Sequence, residues 1–575
     1  MIKDIWPGVF DFTGLTLPNA FSEVTGHSDL FPYLLHRVAY FLAGLGFIQL
    51  TVLDFKRLTN FPGKRSLRIM VAFVMVAISL GVAVIFFLQN NEKMELRRVY
   101  TETDSKYSSF AKGTLSRQSL RFEQQGDCMK VDCYSVVHNR TDELLRNVVL
   151  YLNPGLEITS FQIDGKDVAF ERENQVVIAE RQVVPGDSVV LHIVYAGRVD
   201  ENVCYLDVPQ DIIEKDRRAM DLICPFGKRY AFLDEDFTLL TPEVLWYPTT
   251  KPAVNARAPY AIDKDFTLFS LEVVVPGNKT VISQGERKID DGVISFVNEH
   301  VLTGIALCTG EYETRTVTID SVVCELNVFK RASSFFEVIE SCKNSSLEKV
   351  KRKIEAQMGR SYPFSRFALV ESPVSFTSYY RYGLGGSEFV QPELVFLPER
   401  FTRQHGFSSK KIDLSSDLRH YLSAERVEYF VSWWNSLLLL KSRDFSALMM
   451  SFDRLDYNPY NVSPMFFNYV QSMQTDSCSI LDVLNRMLLD GGVRDRYSSI
   501  TRNSGTEAEA INYLACHGLD DMVADWQLDD VVKREILALK TVEFLNYFEC
   551  KAVAADSLQL FLREYMDHHL FQSVD

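Results

Sequence analysis

The chain divides by the rhythm of its apolar positions. Ile69 to Leu88 (IMVAFVMVAISLGVAVIFFL) carries no charge, and about twenty apolar residues in a helix span a bilayer. Pro32 to Leu53 forms a second apolar run, with His36 and Arg37 near its start, placed to snorkel or to face a partner helix. The residues from 91 to 112 are polar and read as a juxtamembrane linker. From Gly113 to Arg331 the period is two, as in Asn147–Leu152, Ser188–Tyr195 and Leu268–Val275. Asn153-Pro154-Gly155, Asp164-Gly165, Pro185-Gly186 and Pro276-Gly277-Asn278 punctuate these runs as turns. The pattern predicts an all-β sandwich domain. After Ser333 the period lengthens. Helices are expected over 335–358, 427–440, 480–489, 506–517 and 531–548, with a strand over 367–371 and breaks at Gly491-Gly492 and Gly505.

The expected organisation is an extracytoplasmic segment (1–30), two transmembrane helices (31–90), a linker (91–112), a β-sandwich (113–331) and a mixed, increasingly helical domain (332–575). The class is α+β. Lys56, Arg57, Lys64, Arg65 and Arg68 crowd the turn between the two spans. The positive-inside rule puts that turn in the cytoplasm and the large C-terminal part on the other side, the periplasmic side in a bacterium. No signal-peptide cleavage pattern precedes the spans, so both are expected in the mature chain.

Charge and cysteine content narrow the function. Over 575 residues the formal net charge is −15, which argues against a nucleic-acid partner. The ten cysteines include no C-x-x-C pair, which removes zinc-ribbon and thioredoxin readings. Cys128 and Cys133 are close enough in sequence to invite a disulfide. No G-x-x-x-x-G-K-[ST] loop and no G-x-S-x-G elbow occurs, so neither ATPase nor serine-hydrolase chemistry is expected.

One helical segment, Arg426 to Asn435, carries a distinctive arrangement. Val427, Val431, Trp434 and Leu438 make an apolar stripe of the kind any core helix shows. The same segment also has the frame of an H-E-x-x-H zinc helix, in which two imidazoles one turn apart hold the metal and the intervening Glu is the general base. Here Glu428 is present and the ligand positions are Val427 and Val431.

Other segments favour the second reading. Thr241-Pro242-Glu243-Val244-Leu245-Trp246-Tyr247-Pro248, the Thr303 to Glu313 stretch, Ser361-Tyr362-Pro363-Phe364 with Ala368-Leu369-Val370-Glu371, and Gly385-Gly386-Ser387-Glu388-Phe389 occur in this order. Together they resemble the aminopeptidase N-type gluzincin family, in which a β domain leads into a thermolysin-like catalytic domain. Val374 to Glu399 resembles more narrowly the bacterial proteins that fuse an ABC transporter permease to such a domain. The resemblance implies that Glu388, with Gly385 and Gly386, stands where the family grips a substrate's free amine, a task that suits a carboxylate. A Gly-rich turn with a solvated Glu is the plainer alternative.

The resemblance also places a third zinc ligand, a family Glu, at Met450 in Ser446–Leu455. Val427, Val431 and Met450 offer zinc no usable donor set, and Asp453, one turn on, is a weak substitute. The family's transition-state tyrosine falls near Ala538. Loss of zinc, no other cofactor, and a vestigial Glu428 are therefore expected, because water needs an activator to become a nucleophile near neutral pH. Apolar side chains filling the former site would each add roughly 1.5–3 kcal/mol of burial.

These expectations describe a membrane-anchored, catalytically inactive aminopeptidase-like protein that binds a peptide or protein partner, with ABC transporter subunits as further candidates. Two alternatives remain. One is an active zinc metalloaminopeptidase whose ligands come from His405, His420 or His517. The other is a permease-associated assembly module.

Overall fold

Alternation decides most of the architecture. The computed structural model describes residues 21–27, 30–54, 65–204, 229–252, 265–330, 364–376, 390–398 and 504–525, apart from a few positions within these ranges, and scattered positions after 525. It begins with a short hairpin, β1 (Phe21–Ser22) and β2 (Gly26–His27), followed by helices α1 (Leu30–Asp54) and α2 (Arg65–Tyr107). Leu30–Val52 and Ser66–Tyr107 are both long and apolar enough to cross a membrane. Phe41, Phe47, Ile48, Phe73 and Leu80 are exposed on this pair. The helices meet where Gly46 lies against Ala72 and Val76, and the Ser79 hydroxyl donates to the Ala39 carbonyl at 2.6 Å.

The polar stretch expected as a linker is helical as far as Tyr107, in one piece with the second apolar run. Polarity alone hid this. Arg98 pairs with Glu95 and Glu102 at helical spacing, an arrangement that supports a solvated helix as readily as a loop.

The β region starts with β3 (Thr114–Gln125) and β4 (Cys128–His138), then β5 (Leu145–Tyr151), β6 (Leu156–Ile163), β7 (Lys166–Asp167), β8 (Phe170–Glu173), β9 (Val176–Val183) and β10 (Ser188–Gly197). It continues with β11 (Phe232–Leu233), β12 (Thr238–Leu240), β13 (Leu268–Val274), β14 (Thr280–Ile282), β15 (Glu286–Asp290), β16 (Val293–Val297) and β17 (Leu307–Gly310). An eight-stranded sheet has the order β15-β16-β13-β3-β4-β10-β6-β7, a three-stranded sheet β5-β9-β8, and a four-stranded sheet β11-β12-β17-β14. All the pairings are antiparallel except β13 with β3. Leu120 and Phe122 of β3, Val131 and Cys133 of β4, and Leu191, Ile193 and Tyr195 of β10 are buried at every second position. Trp246 sits edge-on to Phe122, and Thr249 pairs with Tyr151 of β5, so the Trp246–Thr249 segment touches both the eight- and three-stranded sheets.

Cys128 and Cys133 do not form the disulfide their proximity in sequence suggested; both thiols are free. They lie on one strand, five residues apart, where side chains an odd number apart point to opposite faces. Burial pushes the Cys133 thiol up to about 12.

A second, five-stranded sheet follows: β18 (Tyr312–Ile319), β19 (Val322–Phe329), β20 (Arg366–Ser372), β21 (Val390–Gln391) and β22 (Leu394–Pro398), in the order β18-β19-β20-β22-β21. β19, β20 and β22 run parallel, and the two outer pairings are antiparallel. Strands on either side of residue 331 thus share one sheet. Alternation within β18 and β19 could not reveal which partner they would choose. Two helices, α3 (Ser504–Leu514) and α4 (Leu519–Ala524), come near the end; α3 matches the helix expected over 506–517. The expected helices over 335–358, 427–440 and 480–489 lie outside the described residues, as does most of 531–548. The described part is a mixed α+β structure, mostly sheet.

Candidate functional site

The described segments among those that carry the resemblance lie against one another. Gly304 approaches Pro242 and Tyr247 so closely that a Cβ there would come within 2.6 Å of the proline ring. Only glycine lets the two segments meet this way. The Ile305 amide donates to the Tyr247 hydroxyl at 3.0 Å. Tyr312, at the end of the Thr303–Glu313 stretch, donates its hydroxyl proton to the Glu371 carbonyl at 2.7 Å, and the Phe329 amide donates to the Glu371 carboxylate at 2.8 Å. β20 holds Ala368–Glu371 and pairs directly with β22.

The residues expected to carry recognition and metal binding, Gly385, Gly386, Ser387, Glu388, Val427, Glu428, Val431 and Met450, lie outside the described residues, as do Asp453, Ala538, His405 and His420. His517 is exposed and stacks on Tyr513 at 4.4 Å. Among the described residues, no three His, Cys, Asp or Glu side chains gather as a metal-binding group. The zinc implied by the resemblance must therefore be judged on the donor set at the matching positions. Val, Val and Met do not fit it.

The structure does define the frame on both sides of the Glu388 segment. On the N-terminal side, Arg229 donates its backbone amide to the Ser375 carbonyl at 2.8 Å and pairs with Phe376 as an isolated bridge. The Glu201 carboxylate holds Arg229 in place, accepting from its Nε at 2.6 Å and from the Tyr230 amide at 2.6 Å. Burial raises the pKa of Glu201, and Arg229 opposes that rise. On the C-terminal side, β21 begins two residues after Glu388 and, among the described residues, forms the edge of the five-stranded sheet. An edge strand offers unpaired backbone groups to an extended chain.

A buried charge cluster locks this edge to the neighbouring sheets. Glu393, in the β21–β22 turn, is 4% exposed and has a left-handed φ of 61°. Its carboxylate accepts the Gly285 amide at 2.6 Å. The Gly285 and Ser283 carbonyls accept from Arg366 Nη1 at 3.4 and 2.8 Å, and Arg366 Nη2 pairs with Glu325 at 2.9 Å. Gly285 has φ 96°, and a Cβ there would sit 2.7 Å from the Val297 carbonyl oxygen. One glycine therefore gives its N–H to the acid and its C=O to the base. Sequence reading missed Glu393, Arg366, Glu201 and Arg229. The turn-like Gln391-Pro392-Glu393 was the only local signal, because the partners are far apart in sequence.

Burial pushes Glu393 up to about 7, against the pull of the Gly285 amide and Arg366. The folded protein then holds a proton that the unfolded chain has released between pH ~4.5 and ~7, so stability falls as pH rises through that window and is flat on either side. Glu393→Gln keeps an acceptor for Gly285 and removes the titration. Urea unfolding of both proteins from pH 4 to pH 8 is expected to show a wild-type loss of about 3 kcal/mol that the variant lacks. Parallel pH profiles would rule out Glu393 as the source.

No protein-family model and no curated protein matches the sequence. Among solved structures, the chain is similar to an M1 zinc metallopeptidase from Deinococcus radiodurans, with 13% identity, a TM-score of 0.43, and coverage of 80% of this chain and 88% of that one. A mutant of that enzyme bound to a Tyr-Ser-Ala substrate has a TM-score of 0.44 at 13% identity, with the same coverage. A two-domain M1 zinc metallopeptidase mutant bound to L-tryptophan has a TM-score of 0.42 at 12% identity, again with 80% and 88% coverage. Activity does not follow from similarity at this level.

Proposed function

We propose that the protein is a membrane-anchored, catalytically inactive aminopeptidase-like protein that acts by binding a peptide or protein partner. One feature of the sequence carries the reading: the resemblance would put Val427, Val431 and Met450 at the family's three zinc-ligand positions, with Glu388 and Glu428 kept as acids. Loss of every donor removes the means of activating water, and a lone carboxylate cannot replace it. Recognition needs less. A carboxylate at Glu388 and a sheet edge at β21 would receive the amine end and backbone of an extended peptide. The clamps at Arg229 and at Glu393 support this by anchoring the chain on either side. Two helices of sufficient length and apolarity support the anchoring. Their exposed apolar faces would meet lipid or the helices of a partner such as an ABC transporter subunit.

The test is direct. Full-length protein purified in detergent is expected to contain less than about 0.1 zinc per chain by elemental analysis, far below the occupancy of intact zinc sites. It is also expected to leave aminoacyl-amide substrates uncleaved. Stoichiometric zinc together with turnover would replace this reading with an active metallopeptidase.

A further inference from the structure

Each of the two long helices is tied to the sheets at a different place. The last turns of α2 are bound to the eight- and three-stranded region. The Tyr100 hydroxyl donates to Asp200 at 2.7 Å, and Gln175 donates to the Tyr100 carbonyl at 2.7 Å. Asn174 donates to Thr103 at 2.8 Å, and Tyr107 to Glu173 at 2.6 Å. Tyr100 and Tyr107 are buried, and the 3-10 turn Glu201–Val203 packs against the same helix. At about 1.5 Å per residue α2 is about 64 Å long, with no break between its apolar run and this dock.

α1 is tied elsewhere. The β1–β2 hairpin ends at His27, and α1 starts at Leu30. Ser22 is fully buried, and its hydroxyl accepts the Val24 and Thr25 amides at 3.1 Å each, which fixes the turn. Val24 packs against the buried cluster shared by the four- and five-stranded sheets, which includes Phe232, Phe376, Leu394 and Phe396. Between the two ties, the helices touch with almost nothing interposed. A Cβ on Gly46 would lie 2.7 Å from Val76 Cγ2 and 3.1 Å from the Ala72 carbonyl oxygen. A close crossing of this kind resists sliding, because sliding would break the buried Ser79–Ala39 bond and open voids. Pivoting costs less.

We propose that the β1–β2 hairpin is a tether coupling the helix pair to the aromatic core, with α2 as the fixed reference and α1 as the moving arm. A pivot at Gly46 would pull on Val24 and loosen the packing around Phe376 and Phe396, and a change in that core would in turn reposition α1. The coupling rests on the reading that the helices cross a membrane. A partner acting on the helices would thereby reach the sheets through the packing of Val24.

Amide hydrogen exchange on the full chain in phospholipid nanodiscs tests the coupling. Val24→Asp is expected to speed exchange in β20 and β22 about tenfold, by exposing part of their packing. Gly46→Leu, far from those strands in sequence, is expected to speed the same amides about fivefold, and Gly46→Ala to do so more weakly. Inserting Gly-Ser-Gly-Ser between residues 28 and 29 should leave the otherwise unaltered chain at wild-type exchange and cancel the Gly46→Leu effect. The coupling is overturned if Val24→Asp leaves β20 and β22 unchanged, if both Gly46 variants do so, or if the Gly46→Leu effect survives the insertion. Retention in vesicles after an alkaline carbonate wash reports separately on the membrane reading. Release would sink that reading, while the exchange comparison still decides the tether.

Discussion

Changing Val427 and Val431 to His and Met450 to Glu in one chain is expected to raise bound zinc to about one per chain. The first two changes put imidazoles one helical turn apart on one face, flanking Glu428, and the third supplies a carboxylate from a following segment. Three such ligands and a water complete a tetrahedral site. A binding free energy on the order of 10 kcal/mol corresponds to a dissociation constant of roughly 50 nM. Omitting the Met450 change should weaken binding about 100-fold, the loss expected when a ligand contributing roughly 3 kcal/mol is missing. Elemental analysis and competition with a chelator measure both effects. If the triple variant folds, as judged by unchanged hydrogen exchange in β20 and β22, yet binds no zinc, the three positions do not converge. The inactive-peptidase reading would fall with them.

Replacing Arg366 by Ala is expected to cost about 3 kcal/mol, in the range measured when one partner of a buried ion pair is removed. Arg366 is 11% exposed and serves Glu325 and the Ser283 and Gly285 carbonyls at once. Its loss strands the half-buried Glu325 and removes a cation that acts on the buried Glu393, leaving both carboxylates less compensated. The urea midpoint should fall, and exchange should rise first in β20 and β22. Arg366→Lys should recover less than half of the loss, because a point charge cannot span three acceptors as the planar guanidinium does. A loss below about 0.5 kcal/mol, the level of an exposed pair, would show that water screens the cluster.

The β region was legible in the sequence because a sheet with one buried face imposes period two. β10 and β13 fall where the alternation of Ser188–Tyr195 and Leu268–Val275 put them. The two apolar helices were legible for a similar reason, since length and lack of charge suffice to specify them. The helical stretch of residues 91–107 was not. A solvated helix and a solvated linker share a composition, and what distinguishes them here is the docking of Tyr100 on Asp200 and of Tyr107 on Glu173 at the end of β8, 100 and 66 residues away.

The candidate site divides in the same way. Residue chemistry at Val427, Glu428, Val431, Met450 and Glu388 can be read one position at a time, so which of these side chains could ligate a metal or carry a charge is a property of the sequence itself. Glu393, Arg366 and Gly285 act only as a set. Their partners come from three separate stretches of chain, and no local pattern encodes a carboxylate meeting an amide more than a hundred residues away. The sequence by itself determined which segments are strands, which helices are apolar enough for a membrane, and which groups could do chemistry, because each depends on side-chain type and local period. Tertiary structure alone decided which strands share a sheet, where the helices are tied, and which buried charges meet, because those depend on distances that folding creates.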